Sequence, residues 1–169
     1  MEGSTLCLNL IVKNKALVIT EILKNWVANL TFDYWVISDT GSTDNTKQLI
    51  IDFFNDQKIK GELFDDKWKN YSYNRTKCLA HAFNKTDRVL VLRTQDVIGP
   101  SFRFPDTITN PSYYLKVEND TYSYPRCLFL DNRLKWKFVG EIKQWGDAPR
   151  TESIYALTYT TPKEEECNA

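Results

Sequence analysis

The sequence predicts an α/β fold: a mixed sheet with helices on both faces, parallel in its N-terminal half and mixed or antiparallel in its C-terminal half. Two observations predict it. As far as Leu92, short apolar runs alternate with segments of helical period, the pattern of βαβ units. From Pro100 onward, strand-like runs follow one another with only turn residues between them. At 169 residues the chain suits one domain with a real core. Residues 1–162 are expected to form that domain. The acidic, Pro-containing end at 163–169 is expected to be a disordered tail.

The elements follow in order. "TLCLNLIVKN" is short and apolar and reads as a buried first strand. "ALVITEILKNWVANL" places Leu17, Ile22, Leu23, Trp26, Val27 and Leu30 near helical spacing. "YWVIS" is a second buried strand running into "DTGSTDNT", where Ser42 or Thr43 is expected to cap a helix whose apolar face is "KQLIIDFFND". "GELFDD" reads as a third strand, "NYSYNRTKCLAHAFNKT" as a helix through Ala80 to Phe83, and "RVLVL" as a fourth strand. "SYYLKVEND", "TYSYPRCLFLDN" and "KWKFVGEI" supply the later strands.

Composition narrows the function. Lys+Arg and Asp+Glu both total 22, so no net field favours nucleic acid or an anionic membrane. No apolar run approaches the ~18–20 residues that span a bilayer, and the opening lacks a basic n-region. Cys7, Cys78, Cys127 and Cys167 form no Cys-x-x-Cys pair, so reduced thiols in a cytoplasmic protein are expected rather than a zinc site. Without a leader, the N-x-[ST] triplets at Asn29, Asn70, Asn74, Asn84 and Asn119 read as chance.

In open α/β sheets the ligand lies beyond the carboxyl ends of the strands. Asn14-Lys15, Ser38 to Thr46, and Arg93 to Asp96 are the polar clusters expected there. The last closes the stretch "VLVLRTQDVI", a core strand that runs straight into an arginine, an amide and a carboxylate.

"VISDTGSTDNT" resembles the second-strand signature of the family 2 glycosyltransferases, nucleotide-sugar enzymes of the Rossmann-like GT-A fold. "LCLNLIVKNKA", "WKNYSYNRTKCLAHA", "VLVLRTQDVI" and "YPRCLFLDNRLKWKFVGEIKQW" resemble further segments of that family in the same order, over most of residues 6 to 145. The resemblance implies a UDP-linked sugar donor and an acceptor of unknown identity. It puts Val12, Asn14, Asp39, Gly41, Arg75, Arg93, Gln95 and Lys143 around the nucleotide, with Asp39 accepting from the imide N–H of uracil. Asp96 and Gln144 fall at the catalytic positions.

The pattern also departs from the family. Arg93 and Gln95 stand where relatives have the Asp-x-Asp metal ligands, Lys143 at the usual His, Gln144 at the usual Glu, and Lys15 at the Glu of the opening motif. Hard divalent cations want several oxygen ligands, and an arginine and a lysine repel them. A conventional Mn or Mg site is therefore not expected, no other cofactor is indicated, and transfer would be metal-independent or weakly metal-dependent. Arg93 and Lys143 would hold the diphosphate as fixed cations in the metal's place, a role that suits the planar guanidinium fork. Gln144 cannot take a proton, which leaves Asp96 and Glu141 as possible bases. Alternatively, Arg93 pairs with Asp96, and the chain is a catalytically degenerate member that binds a nucleotide, a glycan or a protein.

Smaller signals read as structural. His81, with no evident partner, is expected to be a half-buried helix residue. Tyr113, Tyr114, Tyr122 and Tyr124 suit cross-strand packing, although aromatic rings can also line a sugar pocket. Trp136 and Trp145 are expected in the core, with an acceptor wall as the other role, and Pro149 to Thr161 is read as a reduced acceptor side.

Overall fold

The computed structural model describes residues 3–118, 123–139 and the backbone of 156–160. Its strands are β1 (Leu6–Val12), β2 (Tyr34–Asp39), β3 (Gly61–Asp65), β4 (Arg88–Leu92), β5 (Ser112–Glu118), β6 (Ser123–Asp131), β7 (Lys135–Val139) and β8 (Ala156–Thr160). Its helices are α1 (Ile19–Asn29), α2 (Thr46–Gln57) and α3 (Tyr71–Ala82). The main sheet runs β3-β2-β1-β4-β6-β5; β7 and β8 form a separate antiparallel pair.

The mixed α/β architecture is the expected one. β1 pairs parallel with β2 and β4, and β2 pairs parallel with β3, whereas β6 is antiparallel to both β4 and β5. The connections from β1 to β2 and from β2 to β3 step in the same direction across the sheet and put α1 and α2 on one face, where they pack on each other. The return from β3 to β4 puts α3 on the other face, against β1, β2 and β7. β8 lay in a stretch read as acceptor-side sequence. Its five residues pair with β7 from Ala156↔Val139 to Thr160↔Lys135.

The central strands are apolar throughout because both faces are covered. Leu6, Leu8, Leu10, Val36, Ile37, Val89 and Leu90 are buried, with Leu23 and Trp26 of α1, Ile50 and Phe54 of α2, and Cys78 and Ala82 of α3. Burying each large apolar side chain contributes about 1.5–3 kcal/mol. β3 joins through a close approach: a Cβ on Gly61 would stand 2.3 Å from the Trp35 ring and from its carbonyl oxygen. Only glycine fits there.

One expectation is corrected. Neither Ser42 nor Thr43 caps α2, whose N-cap position is Asn45. Asp44 Oδ1 accepts from Thr46 N at 3.1 Å and from Thr46 Oγ1 at 2.5 Å instead. Ser42 and Thr43 are engaged across the loop by Asn14, which is why neither reaches the helix.

Candidate functional site: the carboxyl ends of β1, β2 and β4

Val12, Asp39 and Asp65 stand in register, so β1, β2 and β3 end level with one another. The last pairing of β4 is Leu92↔Leu10, two positions short of Val12. The β4 strand therefore ends early, leaving a notch beside β1. The strand order reverses here: from β1 the chain steps outward to β2 and β3, then returns to β4 on the other side of β1, which makes this the topological switch point of the sheet.

The loops around the notch are tied by side chains. Asn14, at φ 49°, receives Thr43 N on its Oδ1 at 2.8 Å and donates its own N–H to Ser42 Oγ at 2.8 Å. Lys15 N donates to Thr46 Oγ1 at 2.7 Å. The carbonyl of Val12 accepts from Thr40 N and Thr40 Oγ1 at 2.9 and 3.1 Å. Gly41 has φ 110°, a conformation that favours glycine, and nothing lies within 4 Å of where its Cβ would be.

Asp39 is 1% exposed. Its Oδ1 accepts Gly41 N at 2.9 Å and Ser42 N at 2.7 Å, while Oδ2 is buried with no hydrogen-bond partner among the described residues. An unmet buried acceptor of this kind costs about 1–3 kcal/mol, more if charged, and a ligand N–H would recover it. Next to it, Asp66 N donates to Asp39 O at 2.8 Å. The buried Asp66 carboxylate receives Ser38 Oγ at 2.7 Å, Lys77 Nζ at 2.6 Å and His81 Nε2 at 3.1 Å. Burial pushes the Asp66 carboxyl up, but Lys77, Ser38 and His81 outweigh it and hold it below the usual range. His81 is half-buried as expected, and its ring stacks on Phe64 at 3.7 Å.

Arg75, also 1% exposed, donates through Nη2 to the Leu92 carbonyl at 2.8 Å, at the very end of β4. Its Nε and Nη1 are buried without a partner among the described residues. Arg75 thus spans from α3 to the notch. Its guanidinium lies 5.6 Å from the centroid of the Tyr71 ring. Arg93, half-buried one residue past β4, reaches the same phenol. Burial pushes the Tyr71 phenol up, but the charges and hydrogen bonds of Arg75 and Arg93 outweigh it and bring it below the ordinary tyrosine value.

Asp96 is engaged elsewhere. Its Oδ2 accepts Arg93 N at 2.7 Å and is ion-paired with Arg126 of β6. Asp96 Oδ2 thus takes the guanidinium of Arg126 and the backbone N–H of Arg93. The Asp96 carbonyl accepts from Trp26 Nε1 at 2.9 Å, fixing the turn to α1. Gln95 is exposed at the tip, within 3.4 Å of Thr94 Oγ1. Lys143, Gln144, Glu141 and Trp145 lie outside the described residues, as do Tyr122 and the 163–169 tail. Trp136 is in the core, with its Nε1 on the Asp131 carbonyl at 2.7 Å.

A divalent cation finds a poor donor set at the β4 end, with a cation at 93, an amide at 95 and a carboxylate already held by Arg126. Among the described residues no three His, Cys, Asp or Glu converge on one point. Those residues do not fit a metal centre. Tyr71 and Arg126 are the site residues that sequence reasoning missed. The aromatic-Ser pair at Tyr71-Ser72 was a usable signal for the first, and nothing local marks the second.

The architecture is an open α/β sheet with a polar notch at its switch point, bordered by an unmet carboxylate oxygen and arginines. No protein-family model and no curated protein matches the sequence. Among solved structures, S. aureus TarS residues 1–349 are similar over 57% of this chain and 29% of that one, at 20% identity and a TM-score of 0.47. Structures of the same protein in complex with UDP and with UDP-GlcNAc have the same TM-score of 0.47. The mannosyltransferase PcManGT from Pyrobaculum calidifontis, in complex with GDP-Man and Mn2+, is similar over 54% of this chain and 27% of that one, at 17% identity and a TM-score of 0.47. Glucosyl-3-phosphoglycerate synthase from Mycobacterium tuberculosis, in complex with Mg2+ and UDP, is similar over 54% of this chain and 34% of that one, at 17% identity and a TM-score of 0.42. The chain spans at most 34% of the length of these proteins. What it can bind is decided by its own side chains.

Proposed function

We propose that this chain is a glycosyltransferase-like domain that takes a uridine-diphosphate sugar and passes the sugar to an acceptor hydroxyl with weak or no dependence on a divalent metal. The observation carrying this reading is the Asp39 carboxylate. One oxygen is saturated by loop amides and the other is buried and unmet. A single acceptor suits the single N3–H of uracil. Guanine, which presents two adjacent donors, would want both oxygens. Val12, Asn14 and Gly41 form the loop frame around the base. Arg93, with Lys143, supplies positive charge for the diphosphate. Free thiols at Cys7 and Cys78 suit a reducing, cytoplasmic setting.

A second reading is a degenerate member of the same lineage that binds a nucleotide, a glycan or a protein without turnover. It is favoured by the Arg126 ion pair, which occupies the Asp96 carboxylate. Calorimetric titration of UDP and UDP-sugars, with Mn2+ and with EDTA, tests both. Metal-independent UDP binding with sugar release supports the first, and binding without release supports the second. No heat with any uridine nucleotide refutes the nucleotide site.

A further inference from the structure

Among the described residues, the carboxylates and the imidazole at this end of the sheet are already engaged. Asp96 is held by Arg126 and the Arg93 N–H, Asp66 by Lys77, His81 and Ser38, and Asp65 by Lys47 at 2.9 Å. Asp44 accepts from Thr46 and Ala16 in the loop before α2, and Asp39 is committed to its own loop and, in the reading above, to the base. A transfer reaction still needs a group to receive the acceptor proton. Tyr71 is placed to be that group. It opens α3 right after the β3–α3 loop, its phenol meets Arg93 from the end of β4, and its ring packs edge-on against Phe138 of β7 at 6.1 Å. It thus stands between the notch and β7, the strand that leads toward residues 141–145.

We propose that Tyr71, clasped by Arg75 and Arg93, is the catalytic base of sugar transfer. This rests on the nucleotide-sugar reading above. In the step, the Tyr71 phenolate takes the proton of the acceptor O–H. The acceptor oxygen bonds to the anomeric carbon of the donor. The bond from that carbon to the diphosphate oxygen breaks, and its electron pair leaves on the UDP. The phenol then returns its proton to solvent.

The physical basis is the charge around the ring. Among the described residues, the charged groups acting on the phenol are Arg75 from its own helix and Arg93 from beyond β4; β7 meets it with the uncharged ring of Phe138. Arg75 spends one N–H on the Leu92 carbonyl. Its charge also acts on the neighbouring hydroxyl, favouring the phenolate. The lowered phenol is the expected consequence.

The test runs on the intact chain. UDP release from a UDP-sugar, with water as the acceptor, is followed against pH for wild type and Tyr71→Phe, beside UDP titrations of both. The expected result is UDP affinity within about twofold, a rate lower by on the order of 10² to 10⁴, and loss of the rise with pH. The alkaline tyrosinate absorbance gives a second readout. Wild type minus Tyr71→Phe should show an ionisation below the ordinary value of about 10, and Arg93→Gln should move that step upward in the otherwise wild-type protein. The Arg93→Gln arm keeps the inference testable if Tyr71→Phe does not fold. An unchanged pH profile, a tyrosinate step insensitive to Arg93, or UDP binding with no turnover overturns the base role alone. Failure of UDP to bind overturns the nucleotide reading and this inference with it.

Discussion

Asp39→Asn replaces one buried oxygen by an NH2 group and leaves almost everything else in place. Oriented with its carbonyl toward Gly41 and Ser42, the new amide keeps both loop hydrogen bonds, now at 2.9 and 2.7 Å. The change falls on Oδ2, the atom with no partner among the described residues. Folding stability should therefore move by less than about 1 kcal/mol, since no existing contact is lost. The ligand feels the exchange fully. A charge-assisted hydrogen bond of about 1.5–3 kcal/mol is removed, and an N–H faces the N–H of uracil N3. At about 1.4 kcal/mol per decade, UDP affinity should fall roughly 10- to 150-fold. Cytosine carries an acceptor at the same ring position, so CDP should bind Asp39→Asn better than UDP does, reversing the wild-type order. Calorimetry with UDP and CDP on both proteins, beside a thermal melt, measures each part. Asp39→Asn that binds UDP within twofold of wild type, with an unchanged melt, would refute the assignment of Oδ2 to the base.

Three further outcomes follow from packing and charge. Gly61→Ala should cost about 3 kcal/mol or more in a urea titration, because its Cβ would meet Trp35 side chain and backbone at 2.3 Å and the backbone cannot give way; a change under 1 kcal/mol would mean that β3 is not seated as described. Arg126→Met leaves the Asp96 carboxylate buried without its ion partner and should destabilise by roughly 3–5 kcal/mol, with Asp96→Asn in the same chain recovering part of the loss; additive effects would show that the pair is not coupled. Asp66 is ionised more readily folded than unfolded, so its stabilisation is complete above about pH 4 and disappears as pH falls through its lower folded value. Asp66→Asn should thus be less stable than wild type at pH 7, with a gap that narrows as pH falls below about 4; a gap constant with pH would remove Asp66 as its source.

Much of the architecture was legible because it is written in local patterns. The apolar runs at Leu6–Val12 and Arg88–Leu92 can bury both faces only between helices, and the helical period of 71–82 says what covers one of them. The position of Asp39 one step past an apolar run likewise marks it as a strand-end residue. Loop detail was less legible. Ser42 is a good cap by type, yet its Oγ accepts the Asn14 N–H across the loop; the N-cap position falls to Asn45, and Asp44 takes the Thr46 N–H. β8 was missed because a lone five-residue strand identifies itself only when its partner β7 is beside it.

By itself the sequence determined the alternation of strands and helices, the polar residues available at the strand ends, and the presence of cations at 75 and 93. The tertiary structure alone decided which partner each charge would have. Asp96 has Arg93 three residues away, but its ion pair is with Arg126, thirty residues on, because β6 runs antiparallel to β4 and brings its early residues back to the site end. Arg93 turns to Tyr71 instead, and Arg75 reaches the Leu92 carbonyl. Periodicity is set by each segment's own geometry, whereas an ion pair depends on which strands become neighbours and in what register, and one residue of register reverses the face on which a side chain stands.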